Sequence, residues 1–432
     1  MLGARFNGCR VGGQHVLSMA VLTMALLSSL DNACIVSAAP APTIPVSTVE
    51  DLYAVLNDAA NAGAAVALAP GVYTLSATDP GGTPRPNRGR LELKADMSLY
   101  GVAGDRAAVV IDASLLPDSS FTVPFGRTGI IRTGRGSNAI EWLTIAGQPF
   151  AAAAIDTDLV QTDAHGNPMK TAIRVAHVVA GGRLLPDGNA PRVEISGASS
   201  RGVDVRNVGT AGMAGRRIDA EIIDSEVFGG VEGIRVINFN GAHFGEIAVT
   251  MQGNRSYANR LGCIIENNRS NSATIFVRSG GDRFEDNGLG CEIGGALVAA
   301  AGVATSNTTT FEGHGTHFTN NTRTVFFNET GPAFTDLGGL LVVGAEVALA
   351  GAPNTTSGNT VVVKLWGSKI AENQQFDLQA FGARSSAPGL AGSDNHAVVE
   401  LHGVSKLVQL LAVDSEPADP GPTNTATVIG RR

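Results

Sequence analysis

A handful of charged residues recur at matched places in short β-favouring runs, and their types could bind or process an anion. Arg174, Asp204, Arg235, Ile264, Glu292, Phe326 and Asp377 each stand between two apolar neighbours, and Arg206 and Glu266 follow two residues after Asp204 and Ile264. On a strand, alternate residues face the same way. The apolar flanks then point inward, and the residues between them form a column facing solvent. Arginine forks match the carboxylates or sulfates of sugars. Carboxylates beside them could act as acid and base, or hold Ca²⁺ against an acidic ligand. The same column also fits a solvated face whose opposite charges pair for modest stability.

Other groups carry chemistry of their own. Asp156, Asp158, Asp163 and His165 crowd one polar stretch, DTDLVQTDAHGNPMK. They could hold a metal or supply a general acid, although Leu159, Val160 and the lack of the required glycine exclude an EF-hand loop. Cys263 and Cys291 share a Leu-Gly-Cys context. They read either as a bridge or as two small core residues, and side chains pointing the same way favour stacked thiols. Asn259, Asn287, Asn321 and Asn373 sit at equivalent turns, where Asn tolerates the left-handed conformation and can satisfy backbone groups. His314 and His317 face opposite ways on a strand, which opposes joint ligation there.

An architecture of many stacked strands is needed to align these positions. Five segments repeat an apolar residue, a polar turn and a short strand: VFGGVEGIRVIN, YANRLGCIIENN, FEDNGLGCEIGG, FTNNTRTVFFNE and IAENQQFDLQAF. The expected inward pairs are Ile234 and Val236, Cys263 and Ile265, Cys291 and Ile293, Val325 and Phe327, and Phe376 and Leu378. Weaker copies are Ile173 with Val175 and Val203 with Val205. The long step before Phe376 predicts a further coil through Leu340 to Val343. Variable spacing suits a solenoid with loops of different length and fits a β-propeller worse.

Composition agrees. The chain of 432 residues has 54 Gly, 44% hydrophobic, 5% aromatic and 16% charged residues. Such a mixture favours short strands joined by tight turns over disorder. The net charge of −8, without basic runs, argues against a nucleic-acid partner. Residues 1–38 read as a signal peptide, with Arg5 and Arg10 before the apolar stretch from Val16 to Leu30 and small residues up to Ala39. Residues 39–47 form a Pro-rich lead-in, 48–412 the solenoid, and 413–432 a connection and tail. Ser47 or Thr48 caps an expected helix whose Leu52, Val55, Leu56 and Ala59 share one face, with Gly63 ending it. That helix would cover the open end of the stack.

The stretch TVEDLYAVLNDAA, then VALAPGVYTL, then LELKADMSLYGVAGDRAAVVIDAS resembles the start of pectin lyase-like proteins. The resemblance implies an all-β, right-handed parallel β-helix with a short N-terminal capping helix. It spans most of residues 48–412 and speaks for fold more than chemistry, because this superfamily hosts lyases, hydrolases, epimerases and adhesins. The hydrolase pattern of Asn-Thr-Asp, an Asp-Asp pair and Arg-Ile-Lys is absent, as is the Trp-x-Asp-His of pectate lyases. The expectation is therefore a secreted or envelope-located monomer that binds or processes extracellular polysaccharide. As an enzyme it would be a lyase or hydrolase of acidic glycans. The alternative is a non-catalytic surface, adhesive or structural protein.

Overall fold

The computed structural model describes residues 42–121, 129–147, 152–157, 170–181, 184–185, 192–193, 201–208, 216–239, 241–298, 302–322, 337–347, 354–385, 392–405, 407, 410–416 and 423–431. Strands dominate it. Arg217–Ile223 runs in one sheet, Glu226–Phe228 in a second and Glu232–Phe239 in a third; Glu246–Gln252 then returns to the first sheet beside Arg217–Ile223. Repetition of this path builds sheets of 12, 9 and 11 strands. The pairings within these sheets are parallel, as in a right-handed parallel β-helix.

Alternation explains why these residues coil. In Arg217–Ile223, Ile218, Ala220 and Ile222 are buried, while Arg217 and Glu221 are exposed. Across rungs, like residues stack: Ile234, Cys263, Cys291, Leu340 and Leu378 form one inward column, each fully buried. The core runs without interruption from Val46 to Leu401. Each coil buries its apolar side against its neighbours, which lets so long a chain share one narrow core.

Hydrogen-bonded side chains build the corners. Asn259 donates from its backbone N–H and Nδ2 to Asn287 Oδ1, Asn287 donates likewise to Asn321, and Asn321 to Asn373. The expected turn asparagines thus form a ladder. A second ladder joins Asn307, Asn359, Asn395 and Asn424 at another corner. At the third, Asn254 donates to Asp282 Oδ1 at 2.9 Å.

At the N-terminal end, helix α1 spans Val49–Asn57. Thr48 Oγ1 accepts from the Asp51 N–H at 3.1 Å, and Leu52, Tyr53 and Leu56 join the core. The helix stops sooner than the spacing suggested. A 3₁₀ turn at Ala59–Asn61 follows, Ala59 is exposed, and Gly63 takes φ +79 beyond it. Thr43–Val46, within the Pro-rich lead-in, already pairs with Ala65–Leu68. Beyond residue 412 the described residues include two strand segments. Leu410–Glu416 pairs with Phe376–Ser385, and Thr425–Arg431 pairs with His396–His402.

Two assignments of register change. Ile173 and Val175 belong to the 12-stranded sheet, whereas Val203 and Val205 belong to the 11-stranded one. The rung before Val203 is Ile155, and Ile131 precedes that. Gly338–Val347 pairs directly with both Leu289–Gly294 and Phe376–Ser385, so the foreseen coil through Leu340 exists; Val325 and Phe327 lie outside the described residues. Phe376 aligns with Leu261 and Leu289 and packs in an outer apolar cluster, while Leu378 is in the core as expected.

Candidate functional site

The outer face of the 11-stranded sheet gathers most of the anticipated residues. Its register aligns Arg132, Asp156, Asp204, Arg235, Ile264, Glu292, Leu341 and Gln379 in one column. Arg206, Ile237 and Glu266 stack in the next. Two expected members fall elsewhere. Arg174 lies on the 12-stranded sheet, bonded to Glu141 at 2.9 Å and Glu221 at 2.6 Å. Asp377 is buried at a corner, where it accepts from Asn373 Nδ2 at 3.1 Å and ends the asparagine ladder. Phe326 lies outside the described residues.

One end of this face is an internal ion network. Arg235 grips Asp204 with both arms of its fork, at 2.8 and 2.7 Å. Arg206 approaches Asp204 at 3.5 Å and Asp156 at 3.9 Å. Asp156 also accepts from the Gly129 N–H at 2.7 Å and pairs with Arg132 at 3.3 Å. Glu232 joins Arg201 at 2.5 Å and Arg235 at 3.5 Å. Burial alone would raise the Asp204 pKa; Arg235 and Arg206 outweigh it and hold the carboxylate well below its ordinary range. Arg235 is only 7% exposed, so it is a buried strut and not the open ligand-binding fork that alternation suggested.

The other end is apolar. Leu261, Ile264, Leu289, Leu341, Val343, Phe376 and Phe381 form a cluster outside the main core. Glu266 and Glu292 stand where the ion network meets this cluster. Burial and the nearby Glu232 push the Glu266 carboxyl up to about 8, against the pull of Arg235. Glu292 is partly buried, and its carboxyl has no hydrogen-bond partner among the described residues. Burial first, then Glu346 and Glu266, raise its pKa well above normal, while Arg260 and Arg384 oppose the shift. Burial thus favours the protonated form of both carboxyls. Such displaced protonation concentrates where acid–base chemistry or ligand binding occurs.

Sequence reasoning missed Arg132, Arg201 and Glu232. Arg132 follows Ile130-Ile131 as Arg235 follows Ile234, so alternation could have found it once the Ile155 rung was recognised. Arg201 and Glu232 lie at strand starts where glycines break the alternation, and only the register places them.

Of the four metal candidates, one is among the described residues. Asp156 is committed to Gly129 and Arg132. Asp158, Asp163 and His165 lie outside the described residues. Among the described residues no group of three or more His, Cys, Asp or Glu could hold a metal ion. Cys263 and Cys291 face each other across adjacent rungs as free, buried thiols. Burial raises the pKa of the Cys291 thiol.

No protein-family model matches the chain, and no curated protein matches its sequence. Solved structures do align with it. The A-module of the mannuronan C-5 epimerase AlgE6 from Azotobacter vinelandii is 16% identical, with 90% of this chain and 100% of that one covered and a TM-score of 0.40. The AlgE4 A-module from the same organism is 15% identical, with 89% and 100% covered and a TM-score of 0.36. An alginate lyase from Paenibacillus sp. str. FPU-7 is 13% identical, with 86% and 97% covered and a TM-score of 0.23.

Proposed function

We propose that the protein processes an acidic polysaccharide at the outer face of the 11-stranded sheet, with Glu292 as its proton-transfer group. The observation that carries this reading is the partly buried Glu292 carboxyl, free of hydrogen bonds among the described residues, beside Glu266 and a buried apolar cluster, with its pKa raised by burial. A neutral carboxylic acid can donate to a uronate carboxylate or to a leaving glycosidic oxygen. Ile264, Leu341 and Phe381 beside Glu292 form a buried apolar cluster, and Glu266 is buried next to it, so Glu292 is the more accessible carboxyl of the two.

Export to the envelope or the medium belongs to this reading. Its support is the N-terminal charge-and-apolar pattern of the sequence, whose residues lie outside the described ones. Among the described residues no helix is long and apolar enough to cross a membrane.

The test is a panel of uronate polymers assayed for unsaturated products, new reducing ends and exchange of the C5 hydrogen with solvent. Glu292→Gln should cut turnover by about 10²–10⁴-fold and leave the melting temperature within a few degrees. Turnover unchanged by Glu292→Gln would reassign the chemistry. A non-catalytic, adhesive or structural role is the second reading, and the self-satisfied Arg235–Asp204 fork favours it. It predicts no product from any polymer in the panel.

A further inference from the structure

We infer that the outer face of the 9-stranded sheet carries a separate anchoring row for a linear anionic polysaccharide, formed by Arg255, Arg283, His317 and Lys369. Register pairs Arg255 with Arg283, Arg283 with His317, and His317 with Lys369. One basic side chain thus stands on each of four consecutive coils. The spacing is about 4.8 Å along the axis of the stack.

The neighbouring sheet shows what a self-satisfied outer column looks like in this protein. There Arg278, Glu312, Lys364 and Glu400 follow one another in register, and the sign alternates at every rung. Opposite charges side by side stabilise a sheet, and like charges side by side oppose it. The row from Arg255 to Lys369 breaks that pattern in a chain whose net charge is −8.

Internal partners only partly compensate the row. Arg255 is held by Glu285 at 2.7 Å and lies over the Tyr257 ring. Lys369 meets Glu372 at 3.0 Å, but both side chains are well exposed, and such pairs are readily exchanged for another anion. Arg283 is exposed, and its guanidinium has no hydrogen bond or ion pair among the described residues. Burial, then Arg283 and Lys369, hold the His317 imidazole below its ordinary pKa, with Glu285 opposing. The repulsion inside the row is thus felt by its own members.

Ligand chemistry follows from this layout. The basic groups lie in a line along the stack, one per coil, with His317 gaining its charge as an anion binds, so the matching anion is linear and carries a charge at a comparable repeat. A uronate polymer, with one carboxylate per pyranose ring, has that form. The row lies on a different sheet from Glu292, so binding here does not depend on turnover there.

Polygalacturonate is a suitable probe, with affinity measured by gel retardation at low and moderate salt. Arg283→Glu combined with Lys369→Glu should weaken binding by about tenfold or more, since like charges are then set against the polymer. Arg217→Glu, on the 12-stranded sheet, should change it by less than about twofold. The double variant should also keep its melting temperature and its turnover of short oligouronates. Bound polymer should raise the His317 pKa, read by NMR. Unchanged affinity in the double variant, an equal loss in Arg217→Glu, or no shift of His317 would each overturn the row. Equal affinity of the wild type for single-stranded DNA would overturn its assignment to a glycan. Failure of Glu292→Gln to alter turnover leaves these outcomes untouched, so the two readings fail separately.

Discussion

At the scale of single residues, the fold moves protons in both directions. Asp282 accepts from the Asn254 backbone N–H and Nδ2 and from Ser279 Oγ, yet burial dominates and raises its pKa to about 6. Its folded pKa exceeds its unfolded one, so the native state holds the proton more tightly. The contribution is fully present below about pH 4 and is lost as pH rises through about 6. Asp282→Asn keeps the accepting oxygen and carries no charge. It should flatten thermal stability between pH 4 and 7, with a gain of roughly 1–3 kcal/mol at pH 7; an undiminished slope in melting temperature would show that another group titrates. Asp204 behaves in the opposite sense, because Arg235 and Arg206 hold it ionised. Asp204→Ala strips buried Arg235 of its two-armed partner, leaving Glu232 at 3.5 Å, and should cost about 3–5 kcal/mol in denaturant unfolding. Arg235→Ala should be similarly destabilising, which makes it unsuited to probing ligand binding.

At the scale of elements, the corners are as demanding as the core. Asn287 Nδ2 donates to the Ser256 carbonyl at 2.9 Å, and Asn287 Oδ1 accepts from the Asn259 backbone N–H at 3.0 Å. Asn287→Ala removes both and leaves buried backbone groups without partners. The expected loss is about 2–4 kcal/mol by chemical denaturation; a loss below about 0.5 kcal/mol would show that the ladder is dispensable. These asparagines were readable in advance as turn residues, but the left-handed conformation expected of them falls on the residue before each, at Ala258, Asp286, Asn320 and Glu372, and their ladder partners lie one coil away. The alternation inside Glu232–Phe239 and Leu261–Asn268 was readable because it is local. The rung at Ile155 was harder to see, since Ala153–Asp156 is short and its alanine run lacks the alternation of the other strands.

At the scale of the whole molecule, stability passes only between neighbouring coils. Helix α1 packs Leu52 and Leu56 into the N-terminal end of the core. Leu52→Asp with Leu56→Asp should therefore unfold that end first, because each loses a buried side chain worth about 2–5 kcal/mol. Hydrogen exchange should show lost protection in residues 65–100 while the coils around Asn259 and Asn287 stay protected. Uniform loss along the chain would mean that the stack melts as one unit. The candidate site is also a product of this scale. Arg132, Asp204 and Glu292 are far apart in sequence and meet on one face because the coils between them close.

The sequence alone determined the coil: apolar residues at every second position, turn residues between runs and a capped helix before the first full coil are local preferences. It also marked Asp204, Arg235, Arg206, Glu266 and Glu292 as outward-facing members of neighbouring rungs. The tertiary structure decided which sheet each run joins, and so moved Arg174 to another face and Asp377 to a corner. It decided that Arg235 is a strut and that burial favours the protonated forms of Glu266 and Glu292. The physical reason is that a strand's own pattern specifies which side faces the core, while its rung neighbours, its burial and the charges beside it depend on how many residues each loop spends before the next coil begins.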